Sequence, residues 1–192
     1  MSKESRSREL QLDTILSVIT QAVGGKSAAK DDLLHRFTKR YVGNTPAPLS
    51  SNATEQFVTD IAQAWHFVQE RKSSRPLISF EEALLEENGR QLPTTVVRVL
   101  LDDKPFIVDS LRQALLRSGA TIKAVRNTVL FSGRRKPGAA KDSLGRFGEL
   151  ADLATKSDDD FSAESFCSIT CARWESERSK GIESELRDSL NH

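Results

Sequence analysis

The stretch Thr94–Ser132, TTVVRVLLDDKPFIVDSLRQALLRSGATIKAVRNTVLFS, decides the fold. Thr95 to Leu101 is dense in β-branched and aliphatic residues, as in a strand buried on both faces. Asp102-Asp103-Lys104-Pro105 breaks that run. From Phe106 onward Ile107, Leu111, Ala114, Leu115 and Ser118 recur at helical spacing, and Gly119 supplies a C-terminal stop. A second strand-like run then leads to Ser132, so the stretch is one βαβ-like unit. It offers the scaffold of a regulatory domain and no catalytic groups.

Upstream, the chain reads as helices. Residues 9–23 carry Leu10, Leu12, Ile15, Leu16, Val18, Ile19, Ala22 and Val23 on a helical repeat that ends at Gly24-Gly25. A second helix is predicted over Asp31–Val42 and closes at Gly43. A Pro-containing loop, Asn44 to Ser51, leads to a third helix from Asn52 to Arg71, with Asn52 as cap and Glu55 three residues on. This gives a helical region over 1–73. Residues 74–93 read as a connector, in which LISF is briefly extended and EEALLEENGR forms a turn or short helix ending at Gly89.

Downstream, Gly133 to Ser162 changes character abruptly, from Arg134, Arg135, Lys136 and Lys141 to Asp152, Asp158, Asp159 and Asp160. It reads as a flexible insertion, with a short helix over Phe147–Leu153 inside it. Glu164–Ala172 returns to strand character. Glu175–Leu190 is a charged helix with Ile182, Leu186 and Leu190 on one stripe. From residue 94 the order is strand, helix, strand, strand, helix, so 94–192 reads as an incomplete ferredoxin-like βαββα unit within an α+β chain. The absent last strand would lie beside the first. The backbone along Thr95–Leu101 is therefore expected to lack a partner on one side, as in a fragment of something longer.

Composition excludes several classes. With 28 basic against 27 acidic residues the formal charge is +1, which points to neither nucleic acid nor an anionic membrane as partner. The 38% hydrophobic content is low, so part of the chain is expected to be extended or dependent on a partner for burial. No apolar run reaches the ~18 residues that span a bilayer, and the polar start MSKESRSREL lacks the apolar segment of a signal peptide, so a cytoplasmic location is expected. Cys167 and Cys171 fall on one face of a strand in SFCSITCA and read as reduced core thiols. A zinc pair would need two more ligands, and His35, His66 and His192 show no matching spacing.

Enzyme chemistry is not evident either. No G-x-G-x-x-G occurs, and Gly25-Lys26-Ser27 resembles a phosphate loop only at its tail, because Thr20 stands where the first Gly is required. Lys104 and Asp109 have the residue types of a deaminating pair but read as a loop charge and a helix-surface carboxylate.

Three segments in order, AWHFVQER (64–71), ENGRQLPTTVVRVLLDDKPFIVDSLRQAL (87–115) and ESFCSIT (164–170), resemble the N-terminal region of the large bacterial NAD-specific glutamate dehydrogenases. That family has an Asp, an apolar residue and Pro-Phe-Leu-Val-Asp-Ser after its first ACT strand. Asp103 and Pro105 to Ser110 match most of this, with Lys104 as the departure and Asn127-Thr128 where a His-Pro is customary. The resemblance implies an ACT-like regulatory or assembly region of a longer, oligomeric enzyme of amino-acid metabolism, the remainder of that enzyme being its partner. NAD is implied for the full-length enzyme, and no cofactor, metal or catalytic residue for this chain. Such domains bind amino-acid effectors at the first strand-to-helix turn, here Asp102, Asp103, Lys104, Pro105 and Phe106. The turn has no Gly, and its carboxylates suit an ammonium group better than a carboxylate. The alternative is a stand-alone ACT-like module that binds a small molecule or a protein.

Overall fold

The computed structural model describes residues 3–24, 27–43, 51–87, 89–136, 138, 145, 147–154, 156, 160–174 and 176–190. The helices α1 (Lys3–Val23), α2 (Ala28–Gly43) and α3 (Ser51–Gln69) come first. Strands β1 (Leu77–Glu87) and β2 (Arg90–Asp102), helix α4 (Ile107–Arg117), strands β3 (Ile122–Arg135), β4 (Glu149–Ala154) and β5 (Ser162–Ala172), and helix α5 (Ser176–Leu190) follow. The class is α+β. The three helices expected before residue 74 and those expected after Pro105 and after Trp174 are present with shifted bounds. Ser27 opens α2, its hydroxyl accepting from the Lys30 amide at 3.3 Å, and α3 already begins at Ser51. The expected loop at 44–50 and the Gly25-Lys26 pair lie outside the described residues.

The five strands form one antiparallel sheet in the order β1-β2-β5-β3-β4. Its faces are covered differently. Leu100, Leu130 and Phe166 join a core with Ile19, Phe37, Tyr41, Ile61 and Val68 from α1, α2 and α3. Val97, Val99, Leu101, Cys167, Ile169 and Cys171 join a second core with Leu111 and Leu115 of α4 and Ile182, Leu186 and Leu190 of α5. The alternation follows from the period of two along each strand. Two buried cores explain how a chain of modest hydrophobicity still folds, with helices on both faces. No helix among the described residues is long and apolar enough to cross a membrane.

Three expectations are corrected. The stretch expected as a connector holds β1, paired with β2 through an unbroken register from Leu77 opposite Leu100 to Glu87 opposite Arg90. Glu, Ala and Leu are good helix formers, yet pairing overrides propensity here. The sequence signal was Asn88-Gly89, a strong hairpin dipeptide, and Gly89 takes a positive φ of 74°. Second, β1 occupies the place beside β2 that the missing last strand was to fill. The edge along Thr95–Leu101 is therefore paired, and its need for a strand is gone.

Third, Gly133–Ser162 is not simply an insertion. Gly133 to Arg135 continue β3, and the short helix expected over 147–153 is strand β4, which pairs with β3 across an irregularity at Gly133/Arg134. Arg134, expected on a mobile loop, is fully buried. Residues 137, 139–144, 146, 155 and 157–159, where mobility was also expected, lie outside the described residues. Gly148 makes the return to β4 possible. Its φ is 136°, and a Cβ there would run into the Arg135 carbonyl.

Gly148→Ala is therefore expected to cost about 1–3 kcal/mol. Gly181→Ala, in open space on α5, should gain up to about 1 kcal/mol. Chemical denaturation of both variants checks the pair, and a neutral Gly148→Ala would mean that the close approach is not built in.

Candidate functional site

The β2–α4 turn starts where β2 leaves the sheet. The Asp103 amide donates to the Ala163 carbonyl at 2.9 Å, and the Asp103 Oδ1 accepts from the Ser165 hydroxyl at 2.5 Å. Asp102 accepts from an Arg71 Nη at 2.7 Å. Both carboxylates that would suit an effector's ammonium group are thus engaged within the chain. Lys104 and Pro105 are exposed. Phe106 stands at the N-cap position of α4 with φ 64° and ψ 12°, makes no side-chain cap hydrogen bond, and is 79% exposed. A bulky residue in the left-handed region is an outlier, and the region costs a side chain about 1–2 kcal/mol. Its carbonyl nevertheless starts α4 by accepting from the Ser110 amide at 2.9 Å.

Behind Asp102 lies a buried ionic cluster that sequence reasoning missed. Glu164 in β5 is fully buried and lies between Arg71, just beyond α3, and Arg134 in β3. Arg134 meets the carboxylate through Nε at 3.1 and 3.2 Å and through Nη at 2.8 Å, and the Ser132 hydroxyl donates to it at 2.6 Å. The Arg71 guanidinium completes the carboxylate's partners. Arg134 also donates to the carbonyls of Val68 at 2.9 Å, Arg71 at 3.3 Å and Gly148 at 3.2 Å. A guanidinium at the end of α3 suits the negative pole of the helix. Arg71 lies over the Phe147 ring at 5.6 Å.

Two cations and two carboxylates, Glu164 and Asp102, balance in this cluster. The carboxylate positions are filled by fixed donors. It fastens α3 to the sheet and has no group placed to move a proton for a substrate.

A second polar cluster binds the middle of α3 to the sheet. Asp60 accepts from the Tyr41 hydroxyl at 2.7 Å, from Arg98 at 2.7 Å and from Arg126 at 2.6 Å. Arg98, fully buried, also meets Glu81 of β1 at 2.5 Å. Burial, and then the Asp60 charge, hold the Tyr41 hydroxyl well above the usual phenol range. On the opposite face, burial and then Asp103 push the Cys167 thiol up to about 12, and burial pushes Cys171 up to about 11. The Cys167 thiol donates to the Asn127 side-chain carbonyl at 3.2 Å. Both are protonated at neutral pH and poor nucleophiles. Among the described residues no group of three His, Cys, Asp or Glu could hold a metal.

The turn does not fit a dinucleotide. Pyrophosphate needs close-approaching backbone amides at a Gly-rich turn, whereas this one offers two carboxylates and Pro105, which has no N–H. The signals for the missed clusters were weak but present. Glu164 shares the face of Phe166 by the period of two in a strand-like run, and a buried carboxylate requires a partner. Arg134 shares the face of Leu130 and Ser132 by the period of two.

Replacing Glu164 should be severe. In Glu164→Gln, two buried guanidiniums lose their shared countercharge, with an expected loss of about 3–5 kcal/mol. Asp103→Asn, at an exposed residue with one side-chain partner, should cost about 1 kcal/mol. Urea denaturation of both variants measures the difference, and similar losses would remove the cluster's special role.

Comparison with known proteins places these features in a family. The family model described as "Glutamate dehydrogenase, ACT1 domain" matches residues 37–186. An NAD-specific glutamate dehydrogenase of Halomonas elongata is 33% identical over 109 residues, covering 57% of this chain and 7% of the relative. An NAD-specific glutamate dehydrogenase of Pseudomonas aeruginosa is 26% identical over 151 residues, covering 68% of this chain and 9% of the relative. The chain therefore spans less than a tenth of the length of these curated relatives. No solved structure matches it at a significant level. The family match runs from Phe37 in α2 to Leu186 in α5, taking in the whole sheet and most of both cores, and the chain belongs to the glutamate dehydrogenase ACT1 domain family.

Proposed function

We propose that this chain is a non-catalytic regulatory and assembly region of a large NAD-specific glutamate dehydrogenase, an enzyme that deaminates glutamate oxidatively to 2-oxoglutarate. The family match carries the reading. The site's chemistry supports it, because the charged groups at the end of the sheet are held by one another and both thiols are buried and protonated. The remainder of the dehydrogenase chain is the first partner, and the β2–α4 turn is its contact. There Lys104, Pro105 and Phe106 face solvent while Asp102 and Asp103 face inward partners. This arrangement favours a contact surface over an amino-acid effector, whose ammonium group would have to displace Arg71 or Ser165. An exposed aromatic ring held in a strained conformation suits the role of an anchor for a protein partner.

Two measurements test this reading. The purified chain, mixed with glutamate and NAD, should form no NADH above background, and turnover that disappears on unfolding would refute the non-catalytic role. The chain should also bind a glutamate dehydrogenase of this family from which the matched region has been removed. Phe106→Gly relieves the left-handed strain and should stabilise the isolated chain by about 1 kcal/mol, while weakening that association about tenfold or more. A variant that is more stable and binds equally well would leave Phe106 without a role in contact.

A further inference from the structure

The two edges of the sheet are treated differently. At the β4 edge, α2 supplies the cover. Arg36 donates to the Leu153 carbonyl and to Asp152, both at 2.7 Å, and Arg40 donates to the carbonyls of Ala154 at 3.1 Å and Val129 at 2.8 Å. At the other edge β1 has β2 as its one strand partner among the described residues.

Several of the usual protections are missing from β1. Edge strands are commonly kept short, bulged, charged, or studded with Pro and Lys to prevent pairing with another chain. The β1 strand has 11 residues, LISFEEALLEE, with neither Pro nor Lys, and its register with β2 is unbroken. Typical strands have about 5–6 residues. Its acidic residues do not guard it well, because three of them are paired within the chain. Glu81 meets Arg98 at 2.5 Å, Glu82 meets Arg173 at 3.0 Å and Glu87 meets Lys123 at 3.3 Å. Leu84, near the outer end, is 53% exposed.

We propose that β1 is an interface for a second copy of this chain, pairing antiparallel with its own counterpart about a two-fold axis at Glu82. Two independent requirements select that register. Pairing all of Leu77–Glu87 with its own copy sets Leu77 opposite Glu87 and leaves the central residue, Glu82, on the axis. The same register puts the exposed Leu84 of one copy opposite Phe80 of the other. Phe80 already packs edge-on against Trp174 at 6.2 Å, so Leu84 joins an existing apolar cluster. A two-fold axis perpendicular to the sheet keeps like faces together, so α4 and α5 of both copies lie on one side. Only Glu82 then faces a like charge, and each Glu82 brings its own Arg173. Glu81 falls opposite Ala83, and Glu86 opposite Ile78.

The inference deepens the assembly reading above and rests on it, but its test uses the isolated chain and no dehydrogenase. Failure here would therefore leave the Phe106 contact untouched. Sedimentation of the purified chain up to about 100 µM should show a concentration-dependent dimer, and Leu84→Lys should raise its dissociation constant at least about tenfold, with an unchanged melting temperature at concentrations where the chain is monomeric. Glu82→Cys should give a disulfide-linked dimer on mild oxidation. Glu86→Cys should not, because its counterpart lies roughly 27 Å away at about 3.4 Å per residue. The native thiols are buried and do not compete. A chain that stays monomeric overturns the proposal. So does an oligomer in which Glu82→Cys fails to crosslink, since that association would use another surface, as would capture of a different extended segment by β1.

Discussion

Glu164 cannot be buried alone, and much of the structure follows from meeting its charge. It sits in β5, the central strand, at a position that points toward the helical layer. Arg71 reaches it from just beyond α3 and Arg134 from β3, while Arg134 also holds the Val68 carbonyl of α3 and the carbonyl of Gly148. One carboxylate thus ties together the central strand, its β3 neighbour, the end of α3 and the return into β4. A buried pair of this kind adds little net stability over an apolar equivalent, because desolvation offsets the attraction. Its contribution is to register. A slip of β5 by one residue would turn Glu164 onto the face of Val97, Val99 and Leu101, away from Arg71 and Arg134.

The two sheet faces divide the work accordingly. The face toward α1, α2 and α3 combines apolar packing with two charged clusters, around Glu164 and around Asp60. The face toward α4 and α5 is apolar, with the two thiols inside it. The first face is fixed by directional partners and the second by shape. The β2–α4 turn joins the two, because Asp102 answers Arg71 on one side and Asp103 answers Ser165 on the other. Together they hold the start of α4, which presents Phe106 to solvent.

Legibility in the sequence followed the strength of local signals. The strand through Leu101, the helix on Ile107, Leu111 and Leu115, and the stripe of Ile182, Leu186 and Leu190 were readable because burial imposes periods of two or 3.6. β1 was misread because EEALLEE satisfies helix propensity, and only Asn88-Gly89 betrayed the hairpin. β4 was misread because Leu150 and Leu153 have helical spacing in a polar segment. Arg134 was hidden for another reason: in sequence it belongs to a basic run typical of loops, and its burial depends on Glu164, 30 residues away. The break between strand and helix was legible from Pro105, although Asp102 still belongs to β2. The engagement of the Asp102 and Asp103 carboxylates depends on Arg71 and Ser165, which no local pattern connects to them.

The placing of β1 also bears on how the sheet forms. In the expected order the partner of β2 would arrive after α5, closing a loop across the whole unit. Here that partner precedes β2, and Glu87 pairs with Arg90 across only two intervening residues. Closure of so short a loop costs little entropy, and pairing that is local in sequence forms early compared with long-range strand pairing. The hairpin can therefore present an already paired β2 to β5, whose register with β2 runs from Thr94 to Asp102. The burial of Glu164 between its two arginines is of the opposite kind. It requires the end of α3, β3 and β5 at once, so the charged cluster rests on contacts that are distant in sequence, whereas the hairpin rests on local ones.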